Sequence, residues 1–198
     1  MQAGRIGPNA VTRLAEALTS ASGAARCREV FGGAGLSELL ADPPITMIDE
    51  AIVSRLHQSL VARLGAAEAE KIAWDAGIRT GDYLLAHRIP RPFQWLLSRL
   101  PRRLAAAILV RAIARHAWTF VGSGHFSFTW EPDLVLRLEG SPVCRLLHSD
   151  VPSCAYFAAT FQRILAAMLG PAVSVTETAC AATGAEACLF RITWTPDA

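Results

Sequence analysis

Four residues in the last quarter of the chain have the types and spacing of a metal site: Cys154, Glu177, Cys180 and Cys188. Three thiolates and one carboxylate complete a tetrahedral shell for zinc, whose filled d shell accepts soft sulfur and tolerates one hard oxygen. A shell of four protein ligands leaves no position for water, so such an ion holds structure and performs no chemistry. Two other readings of the cysteines stay open. Free cysteine is a common core residue, and an iron–sulfur cluster also uses thiolates, although the close-set Cys-x-x-Cys spacing usual for clusters is absent. Disulfides are not expected. The start, Met1-Gln-Ala-Gly-Arg-Ile-Gly-Pro8, has no charged residue followed by an apolar run. A secretory signal is therefore not expected, and reducing cytoplasm is the expected location.

A second set of chemical groups lies upstream. Eight arginines fall between Arg79 and His116, opposed within that span by Asp82 alone, while the whole chain carries a formal charge of only +2. A solvated helix face explains such a run, since arginine also covers apolar surface with its stem. The functional reading is a clamp for carboxylates, or contact with an anionic membrane surface, because the planar guanidinium donates two parallel hydrogen bonds. No helix-turn-helix or zinc-finger spacing accompanies the arginines, so nucleic acid is not expected as a partner. Next comes a dense aromatic stretch: His116, Trp118, Phe120, His125, Phe126, Phe128 and Trp130. It fits a core layer, and equally the wall of a small-molecule pocket with a few placed polar groups. Arg111, Arg115, His116 and His125 are the candidate polar groups of that pocket. His148 is a weaker candidate near the cysteines, while His57 and His87 read as helix-surface residues.

The elements that must position these groups follow from periodicity. At 198 residues with 52% hydrophobic content, the chain is long enough for one sizeable core and is expected to be one domain, 1–198. No apolar run approaches the length of a membrane span; the longest candidate, Leu104 to Val110, is stopped by Arg103 and Arg111. Residues 1–121 read as mainly helical and 122–198 as a sheet with the metal corner, an α+β order. Helices are expected over 6–20, after Pro8; from a capping box at Thr46 and Asp49 to Leu64; over 68–85; over 93–100; and over 102–117. Phe31-Gly-Gly-Ala-Gly35 is the nearest thing to a linker. Strict alternation predicts a strand over His125 to Glu131, with Phe126, Phe128 and Trp130 on one face. Val135 to Glu139 is a second strand and Val143 to Leu147 a candidate third. A helix from Pro152 to Leu169 and strands over 173–177 and 187–194 complete the antiparallel sheet. This order puts Cys154 at a helix N-terminus, where the dipole favours thiolate. Glu177 and Cys180 leave one strand, Gly184 permits the turn, and Cys188 enters the next. One zinc would staple a helix to a hairpin.

The same spacing resembles the 4-vinyl reductase domain family, in which a cysteine opens a helix and Glu-x-x-Cys-x₇-Cys follows across a strand and turn. Cys154, Glu177, Cys180 and Cys188 match at all four positions, and Ala182 to Ile192 looks like the family's closing turn and last strand. The whole chain, including Arg5-Ile-Gly-Pro-Asn-Ala-Val-Thr-Arg13, looks like the stand-alone branch encoded with bacteriochlorophyll biosynthesis genes. The resemblance implies a ligand-binding fold with a structural zinc and a small hydrophobic ligand. For that branch the ligand is a magnesium porphyrin or chlorophyllide-type tetrapyrrole. Aromatic residues would stack on the macrocycle, a histidine would ligate magnesium, and arginines would meet the carboxylate.

The family name also implies reduction of a vinyl group, which needs a hydride or electron source. Phe31-Gly-Gly-Ala-Gly35 is a weak glycine cluster, Gly122-Ser-Gly124 precedes a strand, and neither is a dinucleotide fingerprint. The expected role is therefore to bind a tetrapyrrole intermediate and carry it to pathway enzymes. The alternative is a divinyl (4-vinyl or 8-vinyl) reductase acting on a chlorophyllide or protochlorophyllide. A third possibility is a pure interaction module, since the family's fold is similar to that of vesicle-tethering subunits. A homodimer and peripheral membrane contact are expected as well.

Overall fold

Pro8 opens the first helix, α1 (Asn9–Gly33), because its ring holds φ at −66° and its missing N–H costs nothing at a helix start. The computed structural model describes residues 4–130 and 132–194. The helix expected over 6–20 thus begins later and runs further. Gly23, at φ 81° and ψ 163°, interrupts it in a conformation a side chain would resist, and the helix then resumes to Gly33. The expected linker at Phe31–Gly35 is therefore largely helical. Phe31 is fully buried, and that burial outweighs the poor helix propensity of two glycines.

A short helix, α2 (Glu38–Ala41), leads to α3 (Glu50–Leu64). The expected capping box led by Thr46 does not form. Asp49 is itself the cap, its carboxylate accepting from the Ala51 amide at 2.8 Å. Ile48–Asp49 (β2) pairs antiparallel with Arg5–Ile6 (β1), tying the N-terminal segment to this helix start. Then come α4 (Ala66–His87), α5 (Arg91–Leu97) and α6 (Arg102–Arg115), the last two entered behind Pro90 and Pro101. A single 3₁₀ turn over Ala117–Thr119 follows.

The sheet contains β3 (His125–Trp130), β4 (Leu134–Glu139), β5 (Val173–Ala179) and β6 (Ala187–Trp194), all antiparallel in the order β3-β4-β6-β5. Glu131, the expected end of the first of these strands, lies outside the described residues. Residues 143–147 form turns rather than the strand expected there. Val143 and Cys144 are nevertheless buried, so alternation at that point reflects burial on a turn. Between β4 and β5 the chain runs through α7 (Ala155–Leu169), the most deeply buried helix, with eleven of its fifteen residues buried.

One face of α7 covers the sheet and another meets α4. Gln162 ties it to edge strand β5, donating to the Val173 carbonyl and accepting from the Val175 amide, each at 2.8 Å. On the α4 side the two backbones almost touch. A Cβ at Gly77 would stand 2.3 Å from the Tyr156 carbonyl oxygen and 2.7 Å from the Ala159 Cβ, and one at Gly81 would stand 2.6 Å from the Arg163 Cβ. Against this seam lies His57, expected on a helix surface but 2% exposed, edge-on to Tyr156. The longer apolar stripe of α3 turns that position inward. Among the described residues no helix is long and apolar enough to cross a membrane.

Candidate metal centre and ligand surface

The local structure around the cysteines follows the expected plan. Cys154 is the N-cap residue of α7. Cys180 follows β5, and a 3₁₀ turn over Ala181–Thr183 closes at Gly184, whose φ of 90° is left-handed. Cys188 lies one residue inside β6. The addition is Cys144, which the turns after β4 carry to the same point. The sulfurs of Cys144, Cys154, Cys180 and Cys188 all lie within 4.8 Å of one another, and all four residues are buried.

The spacing fits a tetrahedral ion. A zinc-sized ion bonded to sulfur at about 2.3 Å sets S–S edges of roughly 3.8 Å. Cys188 Sγ stands 3.1 Å from Cys154 Sγ, 3.4 Å from Cys144 Sγ and 3.8 Å from Cys180 Sγ. Backbone amides also point at sulfur, from Ser153 to Cys180 at 3.3 Å and from Ala181 to Cys188 at 3.5 Å. Such donors hold ligating thiolates in place. Electrostatics point the same way. Burial lifts the Cys154 thiol well above its ordinary value, while hydrogen bonds from Cys144, Cys154 and Cys188 pull Cys180 down. Four buried thiols cannot all ionise without a cation among them. These four cysteines could hold a metal ion.

Glu177 is beside this group but outside the four-sulfur set. One carboxylate oxygen accepts from the Cys154 amide at 2.9 Å, and the other, Oε1, is buried with no partner. Burial, then the negative sulfur of Cys180, pushes its pKa up to about 9. Five groups therefore compete for four positions, with Cys144 the one sequence reasoning missed. Its signal was present, a cysteine ten residues before Cys154, but the turns that fold it back had been read as a strand. A cleft of about 330 Å³ lined by Gly140, Cys144, Arg145, His148, Gly184 and Glu186 opens beside Cys144.

The expected ligand residues divide into two groups. Phe126 is buried, its ring 5.5 Å from that of Phe120 and 6.0 Å from that of Phe161. Phe120, Phe128 and Trp130 are half-buried against the same core. Rings from α7 fill the space in front of β3, so these four serve there as packing. Arg111, Arg115, His116, Trp118 and His125 are exposed, Trp118 by 62%. His116 Nδ1 lies 2.9 Å from the Ala112 carbonyl oxygen. A carbonyl only accepts, so Nδ1 carries the proton and Nε2 keeps its lone pair. Neither this cysteine-side cleft nor a larger one of about 370 Å³ beside Arg55 and Arg63 is lined by any of these nine residues.

Another buried group went unforeseen. Glu50, 6% exposed, accepts from Arg145 at 2.6 Å, from the Ser123 hydroxyl at 2.6 Å and from the Ser123 amide at 2.8 Å. This ties the start of α3 to the loop before β3 and to the residue after Cys144.

The family model of the 4-vinyl reductase domain matches residues 134–194, a span containing all five metal-site candidates. The chain is 40% identical over 188 residues to the bacteriochlorophyll synthase 23 kDa chain of Cereibacter sphaeroides, covering 95% of this chain and 90% of that one. It is 38% identical over 186 residues to the chain of the same name from Rhodobacter capsulatus, covering 94% and 85%. Among solved structures, an H-NOX protein from S. oneidensis in the Fe(II)NO ligation state has a similar fold. Its TM-score is 0.55 at 13% identity, covering 96% of this chain and 100% of that one.

Proposed function

The chain belongs to the bacteriochlorophyll synthase 23 kDa chain family, and from that premise we propose that it binds a magnesium tetrapyrrole intermediate of bacteriochlorophyll biosynthesis and presents it to pathway enzymes. The observation that carries this reading is the exposed end of α6. There His116 keeps an unprotonated Nε2 and Trp118 offers an uncovered ring. Arg115 and Arg111, both on α6, precede that tryptophan by about one and two helical turns. Imidazole Nε2 suits axial ligation of magnesium, the indole suits stacking on a flat macrocycle, and guanidinium suits a propionate. His125 is the second candidate axial ligand. An open surface fits a carrier, which must release its cargo to another protein.

Zinc is the ion assigned to the cysteine corner, where a redox-inert centre with four protein ligands would staple α7 to the β5–β6 hairpin. The chain, 1–198, would act as one unit, as a homodimer, with peripheral contact to a membrane. The reductase alternative gains little support from Phe31-Gly-Gly-Ala-Gly35. That cluster closes α1, and a helix C-terminus presents carbonyls where a pyrophosphate requires amides.

Titration with magnesium protoporphyrin and its monomethyl ester, followed by absorbance with and without NADPH, tests the reading. Saturable binding that His116→Ala and Trp118→Ala weaken, with no product formed, is the expected result. A vinyl-reduced product would establish the reductase, and no binding would overturn the carrier.

A further inference from the structure

Between Asp82 and Glu131 the sequence contains no acidic residue and seven arginines. The structure gives this segment a second property. α5 and α6, joined at Pro101, both lie with their inner faces on α7, burying Leu97, Ala105, Ala106, Leu109 and Val110. Their outer faces carry three large apolar side chains in the open: Trp95 at 59% exposure, Leu96 at 48% and Leu104 at 49%. Arg91, Arg99 and Arg103 surround them, all exposed. The Arg99 guanidinium lies 4.0 Å over the Trp95 ring, and among the described residues none of these three arginines meets a carboxylate.

We infer that the α5–α6 elbow is a docking surface for an anionic phospholipid bilayer, with Trp95, Leu96 and Leu104 entering the headgroup boundary and the three arginines meeting lipid phosphates. This rests on the peripheral membrane contact proposed above, and names its surface and its lipid. Exposed tryptophan and leucine ringed by arginine is the composition of an interfacial anchor, where apolar burial and headgroup charge act together. Charge complementarity selects this occupant over a second copy. A two-fold contact sets one patch against itself and would bring the same arginines face to face. Nucleic acid would meet the arginines but leave the apolar wedge in water.

The test uses the whole chain without tetrapyrrole, floated with vesicles of phosphatidylcholine alone or mixed with phosphatidylglycerol. Near an anionic surface each arginine is worth about fivefold in binding, so three give roughly 100-fold. The expected result is binding to mixed vesicles about 100-fold stronger than to phosphatidylcholine. Arg91→Gln/Arg99→Gln/Arg103→Gln should remove that preference, and Trp95→Ser/Leu104→Ser should lower partition into both. All five side chains are exposed, so unchanged thermal melting is the control for folding. Trp118→Ala should leave vesicle binding intact, which separates this inference from the tetrapyrrole reading. Equal binding to both vesicle types, no binding, or variants that float like the parent would overturn it. So would duplex DNA that displaces the vesicles, or self-association that Trp95→Ser abolishes.

Discussion

Cys144→Ser and Glu177→Gln separate the two ligand sets at the cysteine corner. Both replacements keep the local shape, and each removes one of the competing groups. The measured S–S distances from Cys188, 3.1 to 3.8 Å, lie within a few tenths of an ångström of the roughly 3.8 Å edge of a tetrahedral zinc–sulfur site. Little folding energy is therefore needed to open the site to an ion. Binding to the folded chain alone stabilises it by about 4 kcal/mol when free metal exceeds Kd 1,000-fold. In a chain of this size each kcal/mol moves Tm by about 2–4 °C, so losing the ion should cost roughly 8–16 °C. Cys144→Ser should lower bound zinc, measured by plasma mass spectrometry, and lower Tm by that amount. Chelation of the parent should reproduce the shift, and chelation of the variant should add little. Glu177→Gln should keep both metal and Tm, because its amide oxygen can still accept from the Cys154 amide. The reverse pattern, metal kept in Cys144→Ser and lost in Glu177→Gln, would refute the four-sulfur site and restore the carboxylate as fourth ligand. A metal-free parent with an unshifted Tm would refute the metal altogether.

Gly77→Val should force α4 and α7 apart, since even a Cβ would stand 2.3 Å from the Tyr156 carbonyl oxygen; a loss of at least about 1–3 kcal/mol in chemical denaturation is expected. His57 is fully buried and its pKa is depressed from 6.5 to about 4. Its contribution to stability is complete above pH 6.5 and lost as pH falls toward 4, roughly 3 kcal/mol in all. His57→Phe should flatten that part of the pH–stability curve. Burial pushes the Glu50 carboxyl up, but hydrogen bonds from Arg145 and Ser123 outweigh it and hold the pKa below 4.5. Glu50 therefore stabilises the fold above pH 4.5 and ceases to as pH falls through its folded value. Glu50→Gln should remove this acid-range loss while costing several kcal/mol at neutral pH, because Arg145 then loses its partner.

Much of the architecture was legible because it is local. Period-two alternation placed β3 and β4, prolines marked the starts of α1, α5 and α6, and Glu177-x-x-Cys180 with Gly184 marked the metal hairpin. Where local rules competed with burial, they failed. Phe31 drew a glycine pair into α1, Asp49 displaced Thr46 as a cap, and buried Val143 and Cys144 on a turn passed for a strand. The candidate site divides along the same line. Three cysteines on one helix start and one hairpin were determined by spacing alone. Cys144 joins them only because turns after β4 fold it across the gap, a distance no sequence interval encodes. The aromatic stretch shows the limit most plainly. Its composition suits a pocket wall or a core layer equally, and the choice rested with rings from α7, far along the chain, which occupy the space before Phe126 and leave Trp118 and His116 outside. Sequence determined which residues have the chemistry to act. Tertiary packing decided which of them are filled against and which face solvent, because burial is set by partners distant in the chain.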